Sequence, residues 1–157
     1  MTLEASPPDG STTAPGPIRV IFISTGNSAR SPMAEAILRR YGSDRFEVVS
    51  AGVTPRPIDP LTIESLAKVG IDVTGVESKP VGMFVARRFD YVITLCDRAR
   101  LICPVFPHGR ETLHWGLDDP SEVDGTDAQR QAAFDRCLTE VTQRIHRFIP
   151  TAVAEAA

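Results

Sequence analysis

The 157-residue sequence predicts a single α/β domain, a four-stranded parallel sheet with helices on both faces. First, short apolar runs rich in β-branched residues alternate with longer segments whose apolar residues recur at helical spacing. Second, the run IRVIFIS at 18–24 is apolar almost throughout, as in parallel strands that are buried on both faces. Strand–helix alternation implies right-handed crossovers, which place helices on both sides of the sheet.

The strands are predicted, in chain order, at 18–24, 46–52, 90–96 and 111–115. The first ends at Ser24, and the third, DYVITLC, ends at Cys96. Ligands gather at the carboxyl ends of parallel strands. We therefore expect Ser24 and Cys96 to share one site.

Three helices follow from the spacing of apolar residues. The second, at 59–70, opens with Asp-Pro and closes with Gly, which is typical helix punctuation. The first has a predicted inner face of Met33, Ala34, Ile37, Leu38 and Tyr41. The long closing helix has an inner stripe of Phe134, Cys137, Leu138, Val141, Ile145, Phe148 and Ile149.

The chain divides into one domain with a tail at each end. Residues 1–17 are mostly Pro, Gly, Ser and Thr with little to bury, so we expect a disordered tail. The domain spans 18–150. Residues 151–157 form a C-terminal tail that extends or frays from the last helix.

Composition argues against several classes of function. A net charge of -3 gives no basis for a nucleic-acid or membrane partner, and no apolar run approaches the ~18 residues of a membrane span. No secretory signal is visible, and three cysteines do not resemble a secreted disulfide framework, so a reducing cytoplasm is expected. The three histidines lack metal-ligand spacing, so neither a metal site nor a cofactor is predicted.

The segment STGNSARS at 24–31, called the anion loop below, predicts oxyanion binding. A tight loop entering a helix directs backbone N–H groups at one point, where the helix dipole also favours an anion. Gly26 is expected to permit the required backbone angles, and Arg30 can hold two oxygens of a tetrahedral oxyanion. Alone, these two residues would also fit an ordinary strand–helix turn. The sequence has no GxxxxGK[ST], GxGxxG or GxSxG motif.

The segment STGNSARSPMAEA resembles the anion loop of the low-molecular-weight tyrosine phosphatases and of the thioredoxin-coupled arsenate reductases built on the same fold. Those loops follow Cys-x5-Arg-Ser. The resemblance extends to VSAG at 49–52, ITLCD at 93–97, CPVFP at 103–107 and HWGLDDP at 114–120. It implies that the oxyanion is bound by Thr25, Gly26, Asn27, Ser28, Ala29 and Arg30.

The resemblance also implies catalytic roles. Ser24 takes the nucleophile position, where cysteine is expected, and Ser31 is the hydroxyl that steadies the nucleophile. Asp119, before a proline, corresponds to the general acid, although an aspartate there is also a common turn or helix cap. The phosphatases usually carry a tyrosine after that proline. Ser121 stands there instead, which favours the reductase.

The cysteines separate the two branches further. Cys96 and Cys103 match the two resolving cysteines of the reductases in context and spacing, which implies reduction of arsenate to arsenite through a thiol–disulfide cascade, with thioredoxin as partner. This is a detoxification step in the cytoplasm. Cys137 is expected to be a buried apolar side chain. If 97–103 is helical, the resolving cysteines lie ~10 Å apart, beyond disulfide reach. That segment should therefore unwind on oxidation.

A further expectation concerns an alkali cation. Some reductases of this family bind one through residues equivalent to Asn27, Glu35 and Ser50 together with an aspartate. In this sequence Lys79 stands at the aspartate position. Its ammonium could replace the cation beside Glu35, which predicts no potassium dependence, and an ordinary surface lysine is the alternative.

Ser24 changes the expected chemistry. A serine hydroxyl ionises far less readily than a thiol, has no visible neighbouring base, and cannot form a disulfide with Cys96. The chain should therefore bind arsenate, with phosphate or sulfate as mimics, without reducing arsenate. Three interpretations stay open: an engineered Cys-to-Ser variant of a reductase, a natural oxyanion-binding relative, and a low-molecular-weight protein tyrosine phosphatase. The retention of the other reductase residues favours the first.

Overall fold

A parallel sheet forms the centre of the molecule. The computed structural model describes residues 16–157, and its strands stand in the order β2-β1-β3-β4 with every neighbouring pair parallel. They are β1 Ile18–Ser24, β2 Phe46–Gly52, β3 Phe89–Thr94 and β4 Gly109–His114. The predicted fold class is confirmed. The bounds of β3 and β4 differ by one or two residues from those expected.

Helices cover both faces of this sheet. They are α1 Arg30–Gly42, α2 Pro60–Lys68, α3 Asp97–Ile102 and α4 Asp127–Ala156. The apolar sides of α1, α2 and α4 share one core with one face of the sheet, and α3 packs on the opposite face. Alternate residues of β1 pack into the two cores: Phe22 lies in the core with α1, α2 and α4, and Ile23 lies in the core with α3. This burial on both faces explains the continuous apolar run.

The helix punctuation acts as predicted for α2. The Asp59 carboxylate accepts a hydrogen bond from the N–H of Leu61 at 2.9 Å, and Pro60 is the first helical residue. Gly70 follows the helix with a φ of 82°, a left-handed angle that favours glycine.

One expectation about the helices is corrected. Tyr41 is not part of the inner face of α1, since it is 47% exposed and packs on His146 at the surface. The C-terminal residues expected to extend or fray from the last helix extend it, since α4 continues to Ala156 and buries Ala152. The expected N-terminal tail lies, up to residue 15, outside the described residues. None of the helices within 16–157 is long and apolar enough to cross a membrane.

Candidate active site

The anion loop contains backbone N–H groups for which residues 16–157 provide no acceptor. It connects the end of β1 to the first residue of α1, whose first turn carries no acidic residue. Within residues 16–157, no acceptor contacts the N–H groups of Thr25, Gly26, Ser28 or Ala29. Gly26 and Ala29 are buried. Because buried N–H groups are rarely left unpaired, and because a helix start favours negative charge, this loop is suited to bind an anion.

Asn27 holds the loop in shape. Its Nδ2 donates to Ser31 Oγ at 2.8 Å and to Ser50 Oγ at 3.0 Å, and its Oδ1 accepts from the Lys79 backbone N–H at 2.9 Å. Its φ of 52° lies in the left-handed region, which asparagine tolerates better than most residues. The expectation that Gly26 supplies the special backbone angle is therefore wrong, because that angle belongs to Asn27.

Gly52, at the end of β2, lets the loop pack directly on the sheet. A Cβ at this position would lie 2.9 Å from backbone atoms of Thr25, Gly26 and Asn27. The chain after β2 then follows the loop, and the Thr54 N–H donates to the Thr25 carbonyl at 2.8 Å. The shape of the loop is thus fixed from outside as well as from within.

Ser24 lies at the base of the loop and is 2% exposed. Its Oγ is 2.6 Å from Ser31 Oγ and accepts the Asn27 N–H at 3.2 Å. Neither partner is a base that could remove the hydroxyl proton, and an unactivated serine is a weak nucleophile. A thiolate in the same place would receive donors from both partners, and such donors lower the pKa of a cysteine.

Arg30 and Asp119 meet across the site. Arg30 is buried, and its Nη1 donates to the carbonyl of Leu117 at 3.0 Å. Its Nη2 lies 3.4 Å from Asp119 Oδ2. The other carboxylate oxygen of Asp119 accepts the Ser121 N–H at 3.0 Å and so caps a short 3-10 turn. The aspartate is therefore a turn cap that also faces Arg30.

Cys96, the first of the two cysteines that flank α3, contacts the anion loop. Cys96 directly precedes α3, is buried, and has its Sγ 3.1 Å from Thr25 Oγ1. Cys103 directly follows α3, is half-buried, and contacts the carbonyl of Pro104. Burial raises the pKa of the Cys103 thiol above its ordinary value. Both thiols are free, and the helix predicted between them is present.

The third cysteine belongs to the core, as expected from its place on the apolar stripe of α4. Cys137 is 4% exposed, and burial raises the pKa of its thiol to about 12 despite the nearby charge of Arg30. A thiol with such a pKa remains protonated at neutral pH.

Lys79 does not approach Glu35, so of its two predicted alternatives the replacement of a cation beside Glu35 is not met. Its ammonium donates to the carbonyl of Glu77 at 3.1 Å. Glu35 is instead paired with Arg39 at 2.8 Å and accepts from Ser50 Oγ at 2.6 Å. Arg39, one helical turn after Glu35 on α1, supplies the positive charge beside that carboxylate, because side chains at i and i+4 are neighbours on a helix. The described residues contain no cluster of three or more side chains suited to a metal ion.

An open cleft of about 660 Å³ lies in front of the loop and is lined by Thr25, Arg30, Cys96 and Asp119. The sequence analysis missed a further residue in its wall, Arg56. Arg56 follows β2 and reaches the loop only through the parallel run of the two segments, so no local motif marks it. The same applies to Ser78, whose hydroxyl donates to the Asn27 carbonyl at 2.7 Å.

The family model that matches this chain is described as "Low molecular weight phosphotyrosine protein phosphatase" and covers residues 19–157. An arsenate reductase of Halalkalibacterium halodurans is 36% identical over 132 residues, which are 84% of this chain and 95% of that protein.

Solved structures agree with that match. An arsenate reductase in a phosphate-binding state superposes with a TM-score of 0.74 at 30% identity, covering 86% of this chain and 98% of that one. A thioredoxin-dependent arsenate reductase of Corynebacterium glutamicum gives a TM-score of 0.70 at 30% identity, covering 93% of this chain and 66% of that one. The chain belongs to the low-molecular-weight phosphotyrosine protein phosphatase family and is similar, within it, to arsenate reductases.

Proposed function

We propose that this site is that of a thioredoxin-coupled arsenate reductase whose first chemical step is blocked by the serine at position 24. The observation that carries the proposal is the contact between Cys96 Sγ and Thr25 Oγ1 in the anion loop. Phosphate-ester hydrolysis needs one thiolate, at position 24, and gives a second thiol beside the loop no step to perform. A second thiol is what a two-electron reduction of arsenate requires.

With a cysteine at position 24, the proposed reaction balances as follows. The thiolate bonds to arsenic, and Asp119 protonates the departing oxygen. The Cys96 thiolate then attacks the sulfur at position 24, and the sulfur–arsenic electron pair leaves with arsenite. Cys103 next attacks Cys96, which frees position 24 and forms the 96–103 disulfide. A dithiol of thioredoxin takes up that disulfide, so two thiols are oxidised for each As(V) reduced to As(III).

The partner and compartment form part of the same proposal. The similarity to a reductase named as thioredoxin-dependent supports thioredoxin as the electron donor. A thiol relay works where thiols are kept reduced, so we assign the activity to the cytoplasm.

In the chain as it stands, the expected activity is oxyanion binding alone. The unsatisfied N–H groups and Arg30 do not depend on the residue at position 24 for their own chemistry. Ser24 has no base among its hydrogen-bond partners and cannot enter a disulfide. Phosphate and sulfate should therefore occupy the loop as arsenate does.

Two other functions compete with the reductase. A tyrosine phosphatase would use the same loop, Arg30 and Asp119, but would leave Cys96 and Cys103 without a role. A natural oxyanion-binding protein would account for Ser24, yet it would need neither the general-acid position nor the cysteine pair. The unused residues in each alternative favour the reductase.

The decisive experiment is Ser24→Cys assayed with arsenate, thioredoxin, thioredoxin reductase and NADPH. Arsenate-dependent NADPH consumption by the variant, and none by the unchanged chain, is the expected result. Ser24→Cys combined with Cys103→Ser should stop after the first disulfide and lose steady turnover. Hydrolysis of an aryl phosphate without arsenate reduction would instead identify a phosphatase.

A further inference from the structure

Three cationic side chains line the cleft in front of the anion loop, Arg30, Arg56 and Arg98, and of these Arg56 packs on the loop after β2. It belongs to the segment that leaves β2 and runs along the anion loop, and its side chain lines the same cleft as Thr25 and Arg30. Its backbone is held in place, since its N–H donates to the Gly26 carbonyl at 2.9 Å and its carbonyl oxygen contacts Ser78 Oγ.

The side chain of Arg56 lies against the loop rather than away from it. A Cβ built on Gly26 would be 2.8 Å from Arg56 Nε and 3.1 Å from Nη2. The guanidinium therefore covers the α-carbon of Gly26, where any larger residue would displace it. This packing explains why a glycine stands at position 26, which its backbone angles do not require.

Arg56 differs from Arg30 in its ion pairing within the part of the chain that the structure describes. Among residues 16–157, no carboxylate oxygen lies within 4.0 Å of its guanidinium, whereas Arg30 has Asp119 at 3.4 Å. The positive charge of Arg30 is thus partly compensated by Asp119, whereas Arg56 has no such ion-pair partner among residues 16–157. An exposed unpaired cation at the mouth of an anion site adds attraction that grows with the charge of the ligand.

We propose that Arg56 is a charge-selecting residue of the anion loop, which favours doubly charged tetrahedral oxyanions over singly charged ones. This rests on the proposed oxyanion binding and adds which ionic form is bound. Arsenate and phosphate are largely dianions slightly above neutral pH. Arg56 would therefore direct the site toward the dianion form of the substrate.

The test compares two tetrahedral anions of different charge, sulfate and perchlorate, by calorimetric titration of the chain as it stands. Because the Coulomb energy is proportional to ligand charge, Arg56→Gln should weaken sulfate ~3- to 10-fold, and its effect on log Kd should be about half as large for perchlorate. Arg56→Lys keeps the charge and should restore most of the sulfate affinity. Arg147→Gln, an exposed arginine on α4 outside the cleft, makes the same change in net charge and should leave both affinities unchanged.

Specific outcomes would overturn the assignment. Equal weakening of sulfate and perchlorate, an unchanged sulfate affinity, or the same loss in Arg56→Lys would each show that Arg56 does not select by charge. Arg30→Gln separates this inference from the proposed function. If that variant still binds sulfate as the unchanged chain does, the bound anion is not in the loop, and both proposals fail. If Arg30→Gln weakens sulfate binding but Arg56→Gln does not, oxyanion binding by the loop is retained and charge selection by Arg56 is rejected.

Discussion

The anion loop and the relay segment, residues 96–106, meet at Cys96 but are held in opposite ways. The loop is largely buried, and Asn27 alone makes three side-chain hydrogen bonds within it and around it. The relay segment contains a helix of six residues and leaves Leu101 78% and Val105 83% exposed. One region is preorganised for binding, and the other has few contacts to lose when it moves. This difference fits the proposed reaction, in which the oxyanion stays bound in the loop while the 96–103 disulfide becomes exposed to thioredoxin.

The largest effect should come from pushing the loop off the sheet with Gly52→Ala. The added Cβ would lie 2.9 Å from three backbone atoms, which cannot yield as a flexible side chain could. We expect a loss of ~2–3 kcal/mol in the free energy of unfolding, typical of overpacking a tight site, and loss of sulfate binding. Denaturant unfolding and calorimetric titration measure the two.

Gly82→Ala is the matched control, because nothing lies within 4 Å of a Cβ built there. It should bind sulfate normally. Unimpaired sulfate binding by Gly52→Ala would mean that the loop is less rigid than its contacts indicate, and the contrast between the two regions would disappear.

The next effect concerns the mobility of the relay segment. Cys96 and Cys103 flank a helix in the reduced protein, and ~10 Å of helical rise between them is too long for a disulfide. Oxidation to the proposed 96–103 disulfide should therefore unwind α3 and speed amide hydrogen exchange at 97–102 by at least ~10-fold, since a helix opened in this way loses its protection. Exchange at 24–31 should stay unchanged.

Hydrogen exchange read by mass spectrometry tests both halves of this statement in one experiment. Ser24 simplifies it, because no competing disulfide to position 24 can form. Equally slow exchange at 97–102 in the two redox states would contradict the unwinding, and faster exchange in the loop would show that the two regions move together.

The sequence was a good guide to the rigid region and a partial one to its surroundings. Ser24 and Arg30 could be located because one ends a predicted strand and the other starts a predicted helix, whereas the role of Asp119 was implied only by the family resemblance. The contacts of Arg56 and Lys79 could not be foreseen, because they join segments far apart in the chain. Lys79 even acts through its backbone N–H, and a group that every residue except proline carries leaves no signature in the residue type.

A smaller, pH-dependent effect is expected at Cys103. Its pKa is raised by burial, so its thiol stays protonated at pH values where an ordinary cysteine, with a pKa of ~8.5, is already ionising. Alkylation of Cys103 by iodoacetamide should therefore have its pH midpoint above that value in the folded chain. The protonated form is the one favoured by folding, so this contribution to stability is present below the unfolded pKa and fades as pH rises through the folded one.

Peptide mapping of the alkylated protein across pH follows Cys103 separately from Cys96. The denatured chain is the internal control, and its midpoint should return to the ordinary value. A folded midpoint at or below ~8.5 would mean that Cys103 is already exposed in the reduced state. Unwinding would then not be needed to present it.

The smallest effect should come from a single tether between the relay segment and the sheet. His114, the last residue of β4, has Nδ1 2.7 Å from Thr94 Oγ1 and Nε2 3.1 Å from Asp97 Oδ1. It thus links the end of β3 to the first turn of α3. Because Asp97 is 84% exposed, this pair should contribute less than ~1 kcal/mol. His114→Asn keeps a polar group near Thr94 but is too short to reach Asp97, and His114→Gln can reach it.

Losing the tether should favour the state in which α3 is unwound. We therefore expect His114→Asn to shift the 96–103 dithiol–disulfide equilibrium toward the disulfide by up to ~5-fold in a glutathione buffer, within the range of an exposed pair. His114→Gln should stay close to the unchanged chain, and sulfate affinity should be the same in all three. A shift toward the dithiol, or an identical shift in both variants, would show that the Asp97 contact does not restrain α3. The only remaining evidence that the relay segment is loosely attached would then be the exposure of its apolar residues Leu101 and Val105.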